Sequence, residues 1–487
     1  MDSEQHFREK MHLSQGSLIQ SHNVNDYSNE FNEFLKEQLR QMDEFRNRQN
    51  AEFAEFMKQA WAQFTTEPAI PVPEIPEPIK PIIKEPETEL SPIPETLPIE
   101  TIITPETPQK KPEPFVTPSE EIVEEPVGLS FDYYGATCIV PLTDDLDFNL
   151  DGVKEKSVSA AWNLLSQDKY LPLIKSCLYW RDELQLSDWG YYMFLEKMTM
   201  EFFNSGKKNE ARVMQMFILT QSGYQIRIGC SGETFFLLMP FDATIYEYSY
   251  LLVDGVKFYV MDKQIKNNIF VLDYTYPNTH PLSVQIIQEP KLAMRKSLLR
   301  TLKSNRYPDV SVSISSNLNL MDFYNDCPIN SEWNLYVQTS LSQNAKEQIL
   351  PVLSKYFEGK TDVEIANILL DFVQTAFDYK TDQEQFGYER PLYGDETFYY
   401  PFSDCEDRSI LFTIFMRELG HYDMVLLHYS DHIATAVHFN EEVRGDCFML
   451  NNKKYVICDP TYINSSVGES MPKYRTEKAE IIQLSYK

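Results

Sequence analysis

S-D-C-E-D-R-S-I-L-F-T-I-F-M-R-E-L-G (403–420), H-I-A-T-A-V-H-F (432–439) and K-Y-V-I-C-D-P-T-Y (454–462) decide how this chain is read. The first stretch predicts a helix with Cys405 in its opening turn. The second predicts a strand with His432 at its start, and the third a strand that ends at Asp459, where Pro460 restricts the preceding residue to extended backbone. Cysteine, histidine and aspartate thus arrive in the order a Cys-His-Asp nucleophilic site needs, each at the end of its element.

Ser403 and Asp404 are good N-caps, and Asp407 stands three residues beyond Asp404, as in a capping arrangement. The dipole and free N–H groups of a first turn favour a thiolate at Cys405. Asp404, Glu406 and Asp407 oppose it by like charge, so an imidazolium must stand close. In the strand, Ile433, Thr435 and Val437 share one face. His432, Ala434, Ala436 and His438 share the other, and the small alanines leave His432 room to lean on something bulky. His438 is about 20 Å along the strand, too far to serve the same thiol. His421 and His428 have less to recommend them. Asp459 is placed to accept from Nδ1 of His432 and fix its tautomer. Each residue has a plainer reading: a half-buried helix cysteine, a structural histidine, an Asp-Pro turn.

These motifs resemble the transglutaminase-like superfamily, with its G/S-D-C-x-D/E-x-A/S helix, its histidine strand and its D-P-T strand end. The upstream F-V-Q-T-A-F-D-Y-K-T-D (372–382) is similar to the family's lead-in helix and terminal tyrosine. The resemblance covers about residues 343–470. It implies a papain-like α+β core with Cys405 as nucleophile, His432 as general base and acid, and Asp459 as orienter. Ile433-Ala434 departs from the family's Ala-Trp, which favours peptidase or amidase chemistry over protein crosslinking. For the oxyanion, Tyr399, Tyr400 or the N–H groups near Asp404 are the candidates, with Tyr400 nominated. The expected activity is cysteine-dependent acyl transfer or hydrolysis on a peptide or carboxamide. The alternative is a catalytically silent binding or assembly module of the same fold.

Outward from this core, the chain divides into residues 1–28, a disordered start; 29–65, a long amphipathic, coiled-coil-like helix; 66–127, an acidic proline-rich extended linker; 128–340, a mixed α/β domain; and 341–487, the transglutaminase-like domain. The helix carries Phe31, Phe34, Leu35, Leu39, Met42, Phe45, Phe53, Phe56, Met57, Trp61 and Phe64 at steps near three and four. Its stripe calls for a second copy, a partner helix or the protein's own body. Residues 67–126 hold sixteen of the 29 prolines. Proline fixes φ and removes a donor, so this segment reads as a stalk without helix or sheet, at about 3.1 Å per residue, rather than as an SH3-type ligand.

In 128–340, F-D-Y-Y-G-A-T-C-I-V-P-L reads as a first strand, followed by helices near 157–165, 170–183, 189–204 and 209–222. Strands then alternate with turns, two of them joined across Asp254-Gly255. Laid under 403–459 at a constant offset of 197, residues 206–262 repeat the order of elements. Gly223 meets Gly420, each as a helix end suited to positive φ, and Asp262 meets Asp459. Lys208 meets Cys405 and Phe235 meets His432, so the earlier stretch reads as a degenerate copy without nucleophile or base. Merely similar helix-strand-hairpin units are the other reading.

A net charge of −29 argues against nucleic-acid binding, which needs clustered Lys and Arg. Seven scattered cysteines without C-x-x-C give no disulfide scaffold or zinc motif, and no metal or cofactor is expected. Cys447 and Cys458 lie opposite each other if their hairpin turns at Asn452-Lys453, and are expected to be reduced. Neither a secretory h-region nor a transmembrane run is evident, so the expected location is cytoplasmic by default. The expected partners are a protein or peptide substrate and whatever meets residues 29–65.

Overall fold

The computed structural model describes residues 24–73, 81–84, 96–105, 111–116, 127–204, 206–265, 268–330, 332–420 and 422–484. Residues 1–23 of the expected disordered start, most of 74–95 and His421 lie outside them. The chain forms two compact units, Met1–Glu52 and Phe53–Lys487. Helix α1 (Val24–Met57) begins in the first and ends in the second. It stops at Met57 rather than near 65. Lys58 and Gln59 turn the chain, with Gln59 N–H donating to the Phe56 carbonyl at 3.0 Å, while Phe53, Ala54 and Met57 are buried. Ala62–Thr65 then becomes strand β1. Along the first unit's stretch of α1, Phe34, Leu39, Met42 and Phe45 stand exposed.

The second unit is α+β and holds two six-stranded sheets. The first contains β1, β3 (Arg227–Ser231), β4 (Thr234–Pro240), β5 (Tyr250–Val253), β6 (Val256–Val260) and β7 (Asn268–Val271), in the order β1-β7-β3-β4-β6-β5. The second contains β2 (Ile99–Ile103), β8 (Asp423–His428), β9 (Ile433–His438), β10 (Cys447–Leu450), β11 (Lys453–Cys458) and β12 (Ala479–Gln483), in the order β2-β12-β8-β9-β11-β10. Under the offset of 197, β3 to β6 fall on β8 to β11, and the two strand orders are the same. The last hairpins agree residue for residue: Tyr250 pairs with Tyr259 and Cys447 with Val456. The sheets differ at one edge, where β1 runs antiparallel to β7 but β2 parallel to β12. Helix α2 (Lys208–Gln221) packs on β4 as α3 (Cys405–Gly420) packs on β9.

Several local expectations change. F-D-Y-Y-G-A-T-C-I-V is a hairpin, Leu129–Tyr133 with Ala136–Val140, because Tyr134 and Gly135 both take positive φ and reverse the chain. Gly223 takes φ +95, whereas Gly420 remains within its helix without positive φ. The β10–β11 turn is Asn451-Asn452, both at positive φ, so Cys447 faces Val456 and Cys458 faces Thr435 instead of each other. Both thiols are free.

The proline-rich segment is not a bare stalk. I-E-T-I-I (99–103) contains no proline, keeps all its donors and adds to β12 at the sheet edge, where a strand needs only one partner. Glu67 bridges Tyr250, Ile83 bridges Ile463 and Thr96 bridges Cys447. Leu97 and Val116 are buried. The boundary near 340 also moves. Ile286, Leu302, Val310, Val312, Ile314, Leu320, Phe323 and Tyr336 join the core of the later sheet and its helices. The hairpin Arg300–Lys303 with Ser311–Ile314 packs on the helices Gln343–Ser354 and Asp362–Ala376.

Candidate active site

Cys405, His432 and Asp459 converge, each about 2 % exposed. Their elements explain the convergence. α3 lies on β9, so its first residue comes to the end of the sheet where β9 begins, and β11, antiparallel beside β9, ends at Cys458 just before Asp459. Ser409 Oγ donates to the Ile433 carbonyl at 3.0 Å and ties helix to strand.

Nε2 of His432 lies 3.0 Å from Oδ2 of Asp459. This contact is made by Nε2 and not by the expected Nδ1. Nδ1 has no conventional hydrogen-bond partner among the described residues, and the Cys405 thiol is the other group acting on the imidazole. Asp459 is itself fixed, its Oδ1 accepting from the N–H groups of Thr461 at 2.9 Å and Tyr462 at 3.2 Å. Burial alone pulls the pKa of His432 down; the Asp459 carboxylate outweighs it, and Cys405 adds to the rise, to about 10. The imidazole stacks on Tyr474 at 4.9 Å between centroids, with Tyr429 at 6.3 Å. Its bulky neighbour is therefore Tyr474 from the face of β9 that carries Ala434 and Ala436, while Ile433 and Val437 meet the helices.

The thiol is held by acid. Sγ of Cys405 donates to Oε2 of Glu406 at 3.1 Å. Asp382, Glu389, Asp404, Glu406 and Asp407 form a cluster with no ion pair among the described residues. The capping arrangement is half made: Asp407 accepts from the Asp404 N–H at 3.3 Å, but Oδ2 of Asp404 turns to the Asp382 N–H at 3.2 Å. Burial first, then neighbouring carboxylates, pushes Asp404 up to about 7 and Asp382 up to about 11, and raises Glu406 and Asp407 well above the carboxylate range. Asp382, Glu389 and Glu406, and likewise Asp382, Asp404 and Asp407, bring oxygens within 4.8 Å of one another, a set that could hold a hard cation. Arg408, also buried, donates to the carbonyls of Phe377 at 2.8 Å and Gln374 at 3.2 Å. It thereby anchors the end of the lead-in helix. Tyr379 follows on a short parallel ladder beside Ser403.

A cavity of about 440 Å³ opens on Cys405 and His432, lined among others by Val72, Trp333, Glu389 and Tyr429. Tyr400 is not among its lining residues. Its hydroxyl donates to Asn325 at 3.1 Å, and its ring packs on Phe386 and Arg390. Of the other histidines, His428 lines the cavity's rim beside Glu480, and Nδ1 of His438 lies 3.0 Å from the Lys454 carbonyl. Trp333, Glu389, Tyr429 and Tyr474 escaped the sequence reading, for nothing in their local pattern ties them to residue 405.

Comparison of the chain with family models, with curated proteins and with solved structures finds no match in any of the three.

Proposed function

We propose that this chain is a transglutaminase-like, papain-like cysteine enzyme that transfers or hydrolyses an acyl group from a peptide or carboxamide. The observation that carries the reading is the buried His432–Asp459 pair, 3.0 Å across, beside a cysteine that opens a helix onto a cavity. In the reacting form Cys405 is a thiolate paired with the His432 imidazolium through Nδ1; Sγ attacks the carbonyl carbon, and the carbonyl electrons move to oxygen. Collapse of this adduct breaks the C–N bond, and the amine leaves with the proton from His432. Water or a second amine, deprotonated by the same imidazole, then displaces Sγ from the thioester. N–H groups in the first turn of α3 are the donors for the oxyanion.

The second reading, a silent binding module, is favoured by one contact: the Cys405 proton goes to Glu406 rather than to the imidazole. Alkylation of Cys405, followed on its own peptide by mass spectrometry across pH 5 to 10, separates the two. The enzyme reading predicts fast alkylation well below the free thiol range, slowed roughly tenfold at neutral pH by His432→Ala. An apparent pKa near the free value of about 8.5, unchanged by that substitution, would sink it.

A further inference from the structure

Five carboxylates crowd the turn that carries Cys405. Asp404, Glu406 and Asp407 stand at the start of α3, Asp382 opens the short helix Asp382–Gln385, and Glu389 comes from the loop after it. Asp382, Asp404, Glu406 and Asp407 are each no more than 2 % exposed. Glu389 is half-buried and lines the cavity that opens on Cys405 and His432. No local motif marks this set, because its members meet only when the chain after residue 382 folds against the helix start.

Backbone donors satisfy part of the set. Asp407 accepts from the Leu392 N–H at 2.8 Å, and Asp382 from the Arg390 N–H. Three buried oxygens keep no hydrogen-bond partner among the described residues: Oε1 of Glu389, Oδ1 of Asp404 and Oε1 of Glu406. Glu406 is 1 % exposed, and its carboxylate points into the group it makes with Asp382 and Glu389, whose oxygens lie within 4.8 Å of one another. The neighbouring cations are committed elsewhere. Arg390 pairs with Glu396 at 2.5 Å, and Arg408 spends its hydrogen bonds on Phe377, Gln374 and Ser403, so its charge reaches Asp404 and Asp407 only from a distance. One guanidinium cannot balance five carboxylates that water barely reaches.

We propose that Asp382, Glu389 and Glu406 bind a hard divalent cation of calcium size beside Cys405, with Asp404 and Asp407 adding negative charge through the second group they make with Asp382. A shared proton joins two oxygens and leaves the third unserved, whereas calcium gathers about six to eight oxygen ligands and serves them all. Magnesium suits the set less, since it keeps several waters and uses few carboxylates. Glu389, at the cavity wall, gives the ion its way in. Bound there, the cation ties the loop to the helix start on either side of the thiol and offsets the like charge that opposes a thiolate. Binding rests on the carboxylates and not on turnover by Cys405.

The test is isothermal titration calorimetry of calcium chloride into the full chain, stripped beforehand with EDTA, beside thermal melts in calcium and in EDTA. One saturable binding event and a higher melting temperature in calcium are expected. Glu389→Gln/Glu406→Gln is expected to weaken binding about tenfold or more and to remove the gain in melting temperature, whereas Asp144→Asn/Asp145→Asn, at an exposed acidic pair, keeps both, as does Cys405→Ala. A melting temperature of the Gln variant in EDTA at or above that of the unaltered chain verifies its fold. Heat that never saturates overturns the proposal and leaves shared protons to hold the cluster together. Equal binding by the Gln variant overturns it by placing the ion elsewhere on an acidic surface, and tighter binding of magnesium chloride overturns the assignment to an ion of calcium size. Failure of the alkylation test leaves this result standing.

Discussion

His432 and its neighbours make opposite demands on protons. A buried histidine held above its ordinary pKa by Asp459 contributes stability that is full below about pH 6.5 and is lost as pH rises towards about 10. Asp459→Ala is therefore expected to lower the melting temperature more at pH 6 than at pH 10, with a loss of about 3 kcal/mol or more where the pair is intact, because it strands a buried charge. The acid cluster has the reverse origin: its carboxyls are raised by burial, so the unfolded chain ionises first. Stability then drains as pH rises from about 4 to about 7, the window of Asp404. Glu406→Gln is expected to raise the melting temperature at pH 7 to 8 and flatten that slope; a steeper slope in thermal melts would contradict the assignment.

Much of this site was legible in the sequence because Cys405, His432 and Asp459 each sit at the end of a strongly patterned element. The ring nitrogen that meets Asp459 was not, since it depends on how the imidazole stacks on Tyr474, 42 residues away in sequence. Tyr400 misled because closeness to Cys405 in sequence says nothing of where a hydroxyl finds its acceptor; Asn325 takes it.

At the scale of elements, the proline-rich segment departs furthest from its composition. Proline counts describe an average, whereas pairing needs only a few donors in the right place, and I-E-T-I-I and the single bridges at Glu67, Ile83 and Thr96 have them. Part of this segment bears on the site. Glu67 exchanges backbone hydrogen bonds with Tyr250, the Glu247 N–H donates to the Ile70 carbonyl at 2.8 Å, and Val72 and Pro73 line the triad cavity. Deleting residues 68–73 and replacing them with a glycine-serine linker of equal length is expected to speed Cys405 alkylation several-fold; an unchanged rate would show that Val72 and Pro73 do not limit access. Helix α1 carries its own expectation. Removal of residues 1–52, which takes away exposed Phe34, Leu39, Met42 and Phe45, should lower the oligomeric state in light scattering or abolish capture of a partner.

For the whole molecule, the duplicated strand order was foreshadowed by a gapless offset, but the limits of each half were not. Helix and strand periodicity report which residues are buried, not which core receives them. Ile286 to Val337 read as the tail of one domain and pack as part of the next core's wall. Residues 341–487 expressed alone lack Leu302, Val312, Ile314, Leu320, Phe323 and Tyr336. At about 1.5 to 3 kcal/mol for each buried side chain, that loss matches or exceeds the net stability of an ordinary domain. The fragment is expected to show no near-ultraviolet circular dichroism, whereas a fragment beginning before Ile286 should recover it.

The order of attachment along the chain has a mechanical consequence. After α1 the backbone passes directly into β1, then into the Glu67–Tyr250 bridge, then to Val72 at the triad cavity. Tension delivered to α1 by whatever grips it is therefore borne first by the buried packing of Phe53, Ala54 and Met57, then by the four-residue ladder of β1 on β7, and next by the backbone bonds of Glu67. Only after all three have yielded does the load reach the residues at the mouth of the cavity.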